Sequence, residues 1–255
     1  MPATDITELS SSEQTFLDPY LPSPSAPSAS GKSAKLPFVT LTYACSLDGM
    51  IALSPGVRTA LSGPETKSMT HYLRLKHDAI LVGAGTAVAD LPSLNCRYPG
   101  AEFDEQPQPV IVDPRRRWKV EGSALGTLAE EGKGRQPWAV SLGGNSDEAC
   151  KRLVVEESEG GRMDWETVLR KLKAEGIRSV MVEGGATVIN ALLAEPGLVD
   201  SVIVTIAPTW LGQGGLAACP AVTTVDGRRV NAARLADTTW RQFGADAVLC
   251  GRLGA

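Results

Sequence analysis

Ser179–Leu193 reads SVMVEGGATVINALL, and this stretch decides the fold. SVMVE is a short apolar run of the kind buried in a parallel sheet. It passes through Gly184-Gly185 straight into ATVINALLA, where Val188, Ile189, Leu192 and Leu193 repeat at helical spacing on one face. Glycines let a backbone approach a ligand closely, and the first N–H groups of the helix then point at it, so an anionic phosphate suits the turn. A tight turn that needs glycine for its own backbone explains the pair equally well. The spacing is not the GxGxxG of a dinucleotide fold, and the chain has no GxxxxGK[ST] phosphate loop. Glu183, at the carboxyl end of the strand, stands where ligands enter open α/β sheets. A solvated strand-end acid is the plainer alternative.

The same alternation of short strand and helix extends outward. PFVTLTYA (37–44), AILVGAG (79–85), PVIVD (109–113), PWAVSL (137–142) and SVIVTIA (201–207) read as strands. Ser62-Gly63-Pro64-Glu65 has the form of a capping box and predicts a helix over about 63–77. Asp164 caps a second helix carrying Trp165, Val168, Leu169 and Leu172, with Gly176 as its stop. TTWRQF and AVLCGRL flank Gly244-Ala245-Asp246 as an antiparallel hairpin. The expected fold is one α/β domain: a mixed, mostly parallel central sheet, helices on both faces, and a C-terminal antiparallel hairpin.

Residues 1–35, with LPSPSAPSASGKSAK, are too polar to offset ordering entropy and predict a disordered or loosely docked tail before a domain over 36–255. TFLDPYLP (15–22) is an apolar island within it that can dock on the body. Removing residues 2–30 is therefore expected to cost little stability. The net charge of −4 over 255 residues argues against non-specific nucleic-acid binding. Five scattered cysteines without a CxxC, and only two histidines, give no pattern for a disulfide framework or a metal site; small core thiols in a reducing, cytoplasmic compartment fit them better. No run approaches the roughly 18 apolar residues of a membrane span.

Two further segments carry candidate chemistry. In 79–97, a buried strand again ends in glycine, Thr86 and Asp90 share a helical face, and Arg97 closes the stretch with a planar fork suited to phosphate. In YACSLDGMIA (43–52), a strand leads into a polar turn at Ser46, Asp48 and Gly49. Each segment alone also reads as a cap, a turn or a surface charge.

SLDGMIA, GAGTAVADLPSLNCR and VEGGATVINALL together resemble the riboflavin-pathway reductases of the dihydrofolate-reductase-like fold, over roughly residues 36–255. That family includes the reductase half of bacterial deaminase/reductase proteins and stand-alone fungal and archaeal enzymes. The resemblance implies an NADPH-dependent enzyme that reduces the ribose of a ribosylaminopyrimidine 5′-phosphate to a ribityl chain, and a homodimer. It implies cofactor contacts at Ala44, Ala60, Thr86, Asp90, Gly184, Gly185, Ala186, Thr187 and Val188. Arg74, Leu94, Arg97 and Glu183 fall at substrate positions, with the two arginines expected to converge on the ribose 5′-phosphate. Glu183 and Asp48 are the candidate proton donors. Met50 stands where many members carry a basic residue, and the HxE and PCxxC signatures of a zinc deaminase are absent. Two other readings keep the fold: a non-catalytic nucleotide-binding module, and a dihydrofolate-reductase-like enzyme with another substrate.

Overall fold

The computed structural model describes residues 5–23, 35–143, 149–158 and 162–254. Nine strands form the central sheet: β1 (Phe38–Cys45), β2 (Ala79–Gly83), β3 (Gln108–Val112), β4 (Trp138–Leu142), β5 (Lys151–Val155), β6 (Ser179–Gly184), β7 (Ser201–Ile206), β8 (Leu235–Phe243) and β9 (Asp246–Leu253). Their order across the sheet is β8-β9-β7-β1-β6-β2-β3-β4-β5. The run from β7 to β5 is parallel, while β9 pairs antiparallel with both β7 and β8. The helices are α1 (Ser11–Leu17), α2 (Pro64–Leu75), α3 (Ala84–Asp90), α4 (Ala124–Glu130), α5 (Trp165–Ala174) and α6 (Ala186–Leu193). This is the expected mixed sheet with its closing hairpin, in the dihydrofolate-reductase-like arrangement. β5, with exposed Lys151 at its start, was not visible as a strand because it is a polar edge.

Successive strand residues alternate between two cores, as the pleat demands. Leu81, Val180 and Val182 face α5 and α6, meeting Val168, Leu169, Leu172, Ile189 and Leu192. Ile80, Val82 and Met181 face the other side, where α2, α3 and α4 contribute Met69, Leu73, Ala87 and Leu125. Both faces are therefore dry, which is why the strands read as continuous apolar runs.

Two local readings change. α2 begins at Gly63, whose cap has no side-chain hydrogen bond, so Ser62 is not the cap. The buried carboxylate of Asp246 serves instead: its Oδ2 accepts the Gly63 N–H at 2.8 Å and the Thr66 hydroxyl at 2.6 Å. A hairpin acid supplied by tertiary contact wins over the local box because it satisfies the helix start and is itself satisfied by it.

The second change concerns residues 5–23. They form a docked arm: Leu9, Leu17, Tyr20 and Leu21 are buried in the second core. α1 carries a capping box between Ser10 and Glu13. The arm bridges α2 and the hairpin, with the Tyr72 hydroxyl donating to Asp18 Oδ1 at 2.7 Å and Arg252 donating to the Pro19 carbonyl at 2.8 Å. TFLDPYLP is its apolar centre. The Ser/Pro-rich stretch that follows, residues 24–34, lies outside the described residues, as do residues 1–4.

Candidate active site

The carboxyl ends of β2 and β6 bring the starts of α3 and α6 together. Gly184 and Gly185 have φ of 137° and 78°, backbone that side-chain-bearing residues rarely adopt. Gly185 is the N-cap of α6, and no side chain caps that helix. A Cβ at Gly185 would stand 2.9 Å from Thr86 Oγ1, and one at Gly83 would stand 3.1 Å from Val188 Cγ2. Thr86, Gly184, Gly185, Ala186 and Thr187 thus cluster at one point. Val188 is adjacent, but its side chain belongs to the core and its N–H is taken by Gly185 O at 2.9 Å. Asp90 ends α3, where burial raises its pKa and the nearby Arg58 opposes the rise. Arg58 lies on the loop that also carries exposed Ala60, so that loop approaches the same helix. Ala44 lies half-buried in β1, opposite Thr205 of β7.

One residue before this turn, Glu183 meets Arg74 of α2. The contact is a two-pronged fork: Arg74 Nε to Oε1 and Nη2 to Oε2, both 2.7 Å. The third arm, Nη1, donates to the Asn95 carbonyl at 2.9 Å. Arg74 is therefore tied to Glu183 and to the loop after α3. A strand-end carboxylate that is largely buried needs a counter-ion, and Arg74 meets that need. Leu94 is buried on the same loop with φ of 48°, a strained conformation for a side-chain-bearing residue.

Arg97 is exposed, and its partner is His71, a buried residue that the sequence reading did not single out. The Arg97 backbone N–H donates to His71 Nδ1 at 2.9 Å, and the guanidinium Nη2 stands 3.2 Å from His71 Nε2. Burial, with Arg74 and Arg97 as like charges, pushes His71 down to about 3, so the ring is neutral. The available signal was its i, i+3 spacing from Arg74 on α2.

The family model described as the RibD C-terminal domain matches residues 37–249, the whole of this sheet up to β9. The chain belongs to the RibD C-terminal domain family. A relative in Eremothecium gossypii, named 2,5-diamino-6-ribosylamino-4(3H)-pyrimidinone 5′-phosphate reductase, is 46% identical, with 93% of this chain and 95% of the relative covered. The protein of that name in Saccharomyces cerevisiae is 40% identical over 97% of this chain and 98% of its own. Among solved structures, the Saccharomyces cerevisiae riboflavin biosynthesis reductase Rib7 superposes with a TM-score of 0.80 at 37% identity, covering 95% of this chain and 99% of that one.

In this RibD C-terminal domain, Asp48 ties its own turn to the loop at Leu211-Gly212. It accepts the Ser46 hydroxyl, the Leu211 N–H at 3.1 Å and the Gly212 N–H at 2.7 Å. These bonds, the Ser46 hydroxyl foremost, hold its pKa below the ordinary carboxylate value. A carboxylate so bound links the two loops and favours its ionised form, which has no proton to donate. Met50 opens a short ribbon, Met50–Ala52 against Leu216–Ala217, and lies over Gly215, where a Cβ would stand 2.9 Å from its Cγ. An apolar side chain packs at the position where the resemblance had suggested a basic residue.

Proposed function

We propose that the protein reduces 2,5-diamino-6-ribosylamino-4(3H)-pyrimidinone 5′-phosphate to its ribitylamino product, with NADPH as hydride donor. The observation that carries this reading is the adjacency of the two halves of the site. The Gly184-Gly185 turn, open for a pyrophosphate, follows directly on Glu183, whose ion pair with Arg74 marks the substrate side. The fit of a dinucleotide rests on Gly185, where a Cβ would fill the space beside Thr86. Thr86, Asp90, Gly184, Gly185, Ala186 and Thr187 would hold it, with Val188 packed behind the turn and Ala44 and Ala60 at its margins. When bound, NADPH supplies the hydride to C1′ of the ring-opened ribosylamine.

The chain's own residues bind and align. Glu183, held in place by two Arg74 N–H groups, accepts hydrogen bonds from substrate hydroxyl or amino groups through its remaining lone pairs. Leu94, its side chain anchored in the second core, would meet the substrate through the backbone of its loop. With Asp48 committed to tying two loops and Glu183 to Arg74, solvent water is the source of the proton. The enzyme acts as a homodimer in the cytoplasm. The test is NADPH oxidation at the nicotinamide absorbance on addition of the ribosylaminopyrimidine phosphate, with NADH in parallel. Consumption with this substrate is expected; none with either nicotinamide refutes the reading.

A further inference from the structure

We propose that the N-terminal arm, residues 5–23, is a clamp that sets α2 against the loop after α3 and so positions Arg74 and Glu183, with Tyr98 as the residue through which it acts. The inference rests on the function proposed above. Its physical basis begins with the way α2 divides its faces. Met69 and Leu73 turn into the second core. His71 and Arg74, three residues apart, turn to the loop, where they hold the Arg97 N–H and the Asn95 carbonyl, and Arg74 also holds Glu183. Ser68 and Tyr72, four residues apart, turn to the arm. The Thr7 N–H donates to Ser68 Oγ at 3.0 Å, and the Tyr72 hydroxyl donates to Asp18 Oδ1 at 2.7 Å. Ser68 and Tyr72 are both buried. A helix is stiff, so a grip on one face also fixes what the other faces present.

The loop has no regular structure of its own to hold it. Residues 91–98 lie in neither helix nor strand, and Leu91 and Leu94 carry φ of 44° and 48°. Such backbone persists only where the surroundings impose it. Arg74 and His71 supply two of the ties, and Gln106 supplies another by bonding both the N–H and the carbonyl of Cys96. The tie at the far end comes from the arm: the Leu9 N–H donates to the Tyr98 hydroxyl at 2.8 Å in a buried setting. Tyr98 packs in turn on Tyr72, with ring centroids 5.4 Å apart. Thr7 and Leu9 thus pin α2 and the loop from one short segment. The rest of the arm is anchored on the β8–β9 hairpin, where the Tyr20 hydroxyl donates to the Asp237 carbonyl at 2.5 Å, Arg241 donates to Ser12 and Arg252 donates to the Pro19 carbonyl. The same hairpin supplies Asp246, which caps α2. Hairpin, arm, loop and α2 therefore close into a ring, and Arg74 is fixed by it.

Two substitutions of the same kind, made in the full chain, separate positioning from stability. Tyr98→Phe keeps the ring and deletes the acceptor for the Leu9 N–H. Tyr20→Phe deletes one hydrogen bond at the hairpin end of the arm, where Arg241 and Arg252 still hold. Both should melt below wild type. In Tyr98→Phe the KM for the ribosylaminopyrimidine phosphate should rise about five- to tenfold, with kcat and NADPH affinity held within about twofold. Tyr20→Phe should keep all three. Hydrogen exchange reads the clamp without turnover: the amides of Cys96 and Arg97, bonded to Gln106 and His71, should exchange about tenfold faster in Tyr98→Phe, and those of α6 at the wild-type rate. Ser68→Ala removes the acceptor for the Thr7 N–H on α2; it carries the same expectation and decides the matter if Tyr98→Phe does not fold. A wild-type KM in active Tyr98→Phe overturns the proposal, as does an equal rise in KM in Tyr20→Phe, which would tie the effect to stability alone. If wild type does not turn over this substrate, faster exchange confined to Cys96 and Arg97 upholds the clamp while the substrate reading falls, and unchanged exchange overturns both.

Discussion

Arg74→Met separates what the buried ion pair does for the fold from what it does for the site. The side chains of Arg74 and Glu183 are 11% and 14% exposed, and the guanidinium makes three hydrogen bonds, two to Glu183 and one to Asn95 O. Removing one partner of such a pair leaves the other charge largely desolvated and costs about 3–5 kcal/mol. A chain of this size loses about 2–4 °C of Tm per kcal/mol, so the single variant should melt roughly 6–20 °C lower. Replacing both partners, Arg74→Met with Glu183→Leu, removes both charges and should recover most of that loss, because well-packed apolar groups offset a buried pair. Activity should behave differently. The double variant lacks the carboxylate proposed to face the substrate, so kcat/KM should stay at least 100-fold down, about 2.7 kcal/mol, although the fold is restored. Differential scanning calorimetry and NADPH oxidation on the same preparations give both numbers. If the double variant melts as low as the single one, the pair is not the stability element inferred here. If it is as active as wild type, Glu183 does not face the substrate.

Gly185→Ala combines an unfavourable φ of 78° with a Cβ 2.9 Å from Thr86 Oγ1, so NADPH affinity should fall more than tenfold, read by fluorescence titration, while the far-ultraviolet spectrum is retained. Deleting residues 2–23 removes the buried Leu9, Leu17, Tyr20 and Leu21, and the melting temperature should drop by roughly 10 °C, the reverse of what a loose tail implies; an unchanged value would show the arm to be dispensable. His77 is enclosed between Thr40 Oγ1 and the Leu73 carbonyl, and burial pushes it down to about 4. Because the unfolded chain takes up this proton near 6.5, the stability that neutral His77 contributes is present above that pH and is lost as pH falls from 6.5 through 4. Thermal melts at pH 7 and pH 4.5 should show the loss, and His77→Gln should lessen the dependence.

The parts of this fold that were legible from sequence are those governed by near neighbours. Asp164 reads as a cap and is one, accepting the Thr167 N–H at 3.1 Å, because cap and helix are three residues apart. The apolar runs of β1, β2, β3, β6 and β7 announce a buried parallel sheet because both faces are covered. Local reading failed where a distant group took over a local one's task. Ser62 yields the start of α2 to Asp246, 183 residues from Gly63. The docking of TFLDPYLP was legible as an apolar island, but its helix was not, because seven helical residues are too few to show a period, and α2 and the hairpin are what give Leu17 and Tyr20 something to bury against.

The site shows the same limit more sharply. Arg74 and Arg97 look interchangeable in the sequence: two cations near a cofactor turn. The fold makes them unlike. Arg74 is buried with its donors directed to Glu183, 109 residues away, and to Asn95, so it sets the position of a carboxylate. Arg97 is exposed and shares its surroundings with a ring nitrogen that can only donate. Residue type sets which charges are available, but which of them remains able to meet a ligand depends on where each donor is already directed. That is why His71, silent as one of two histidines in the sequence, carries information once its Nδ1 is seen to be occupied.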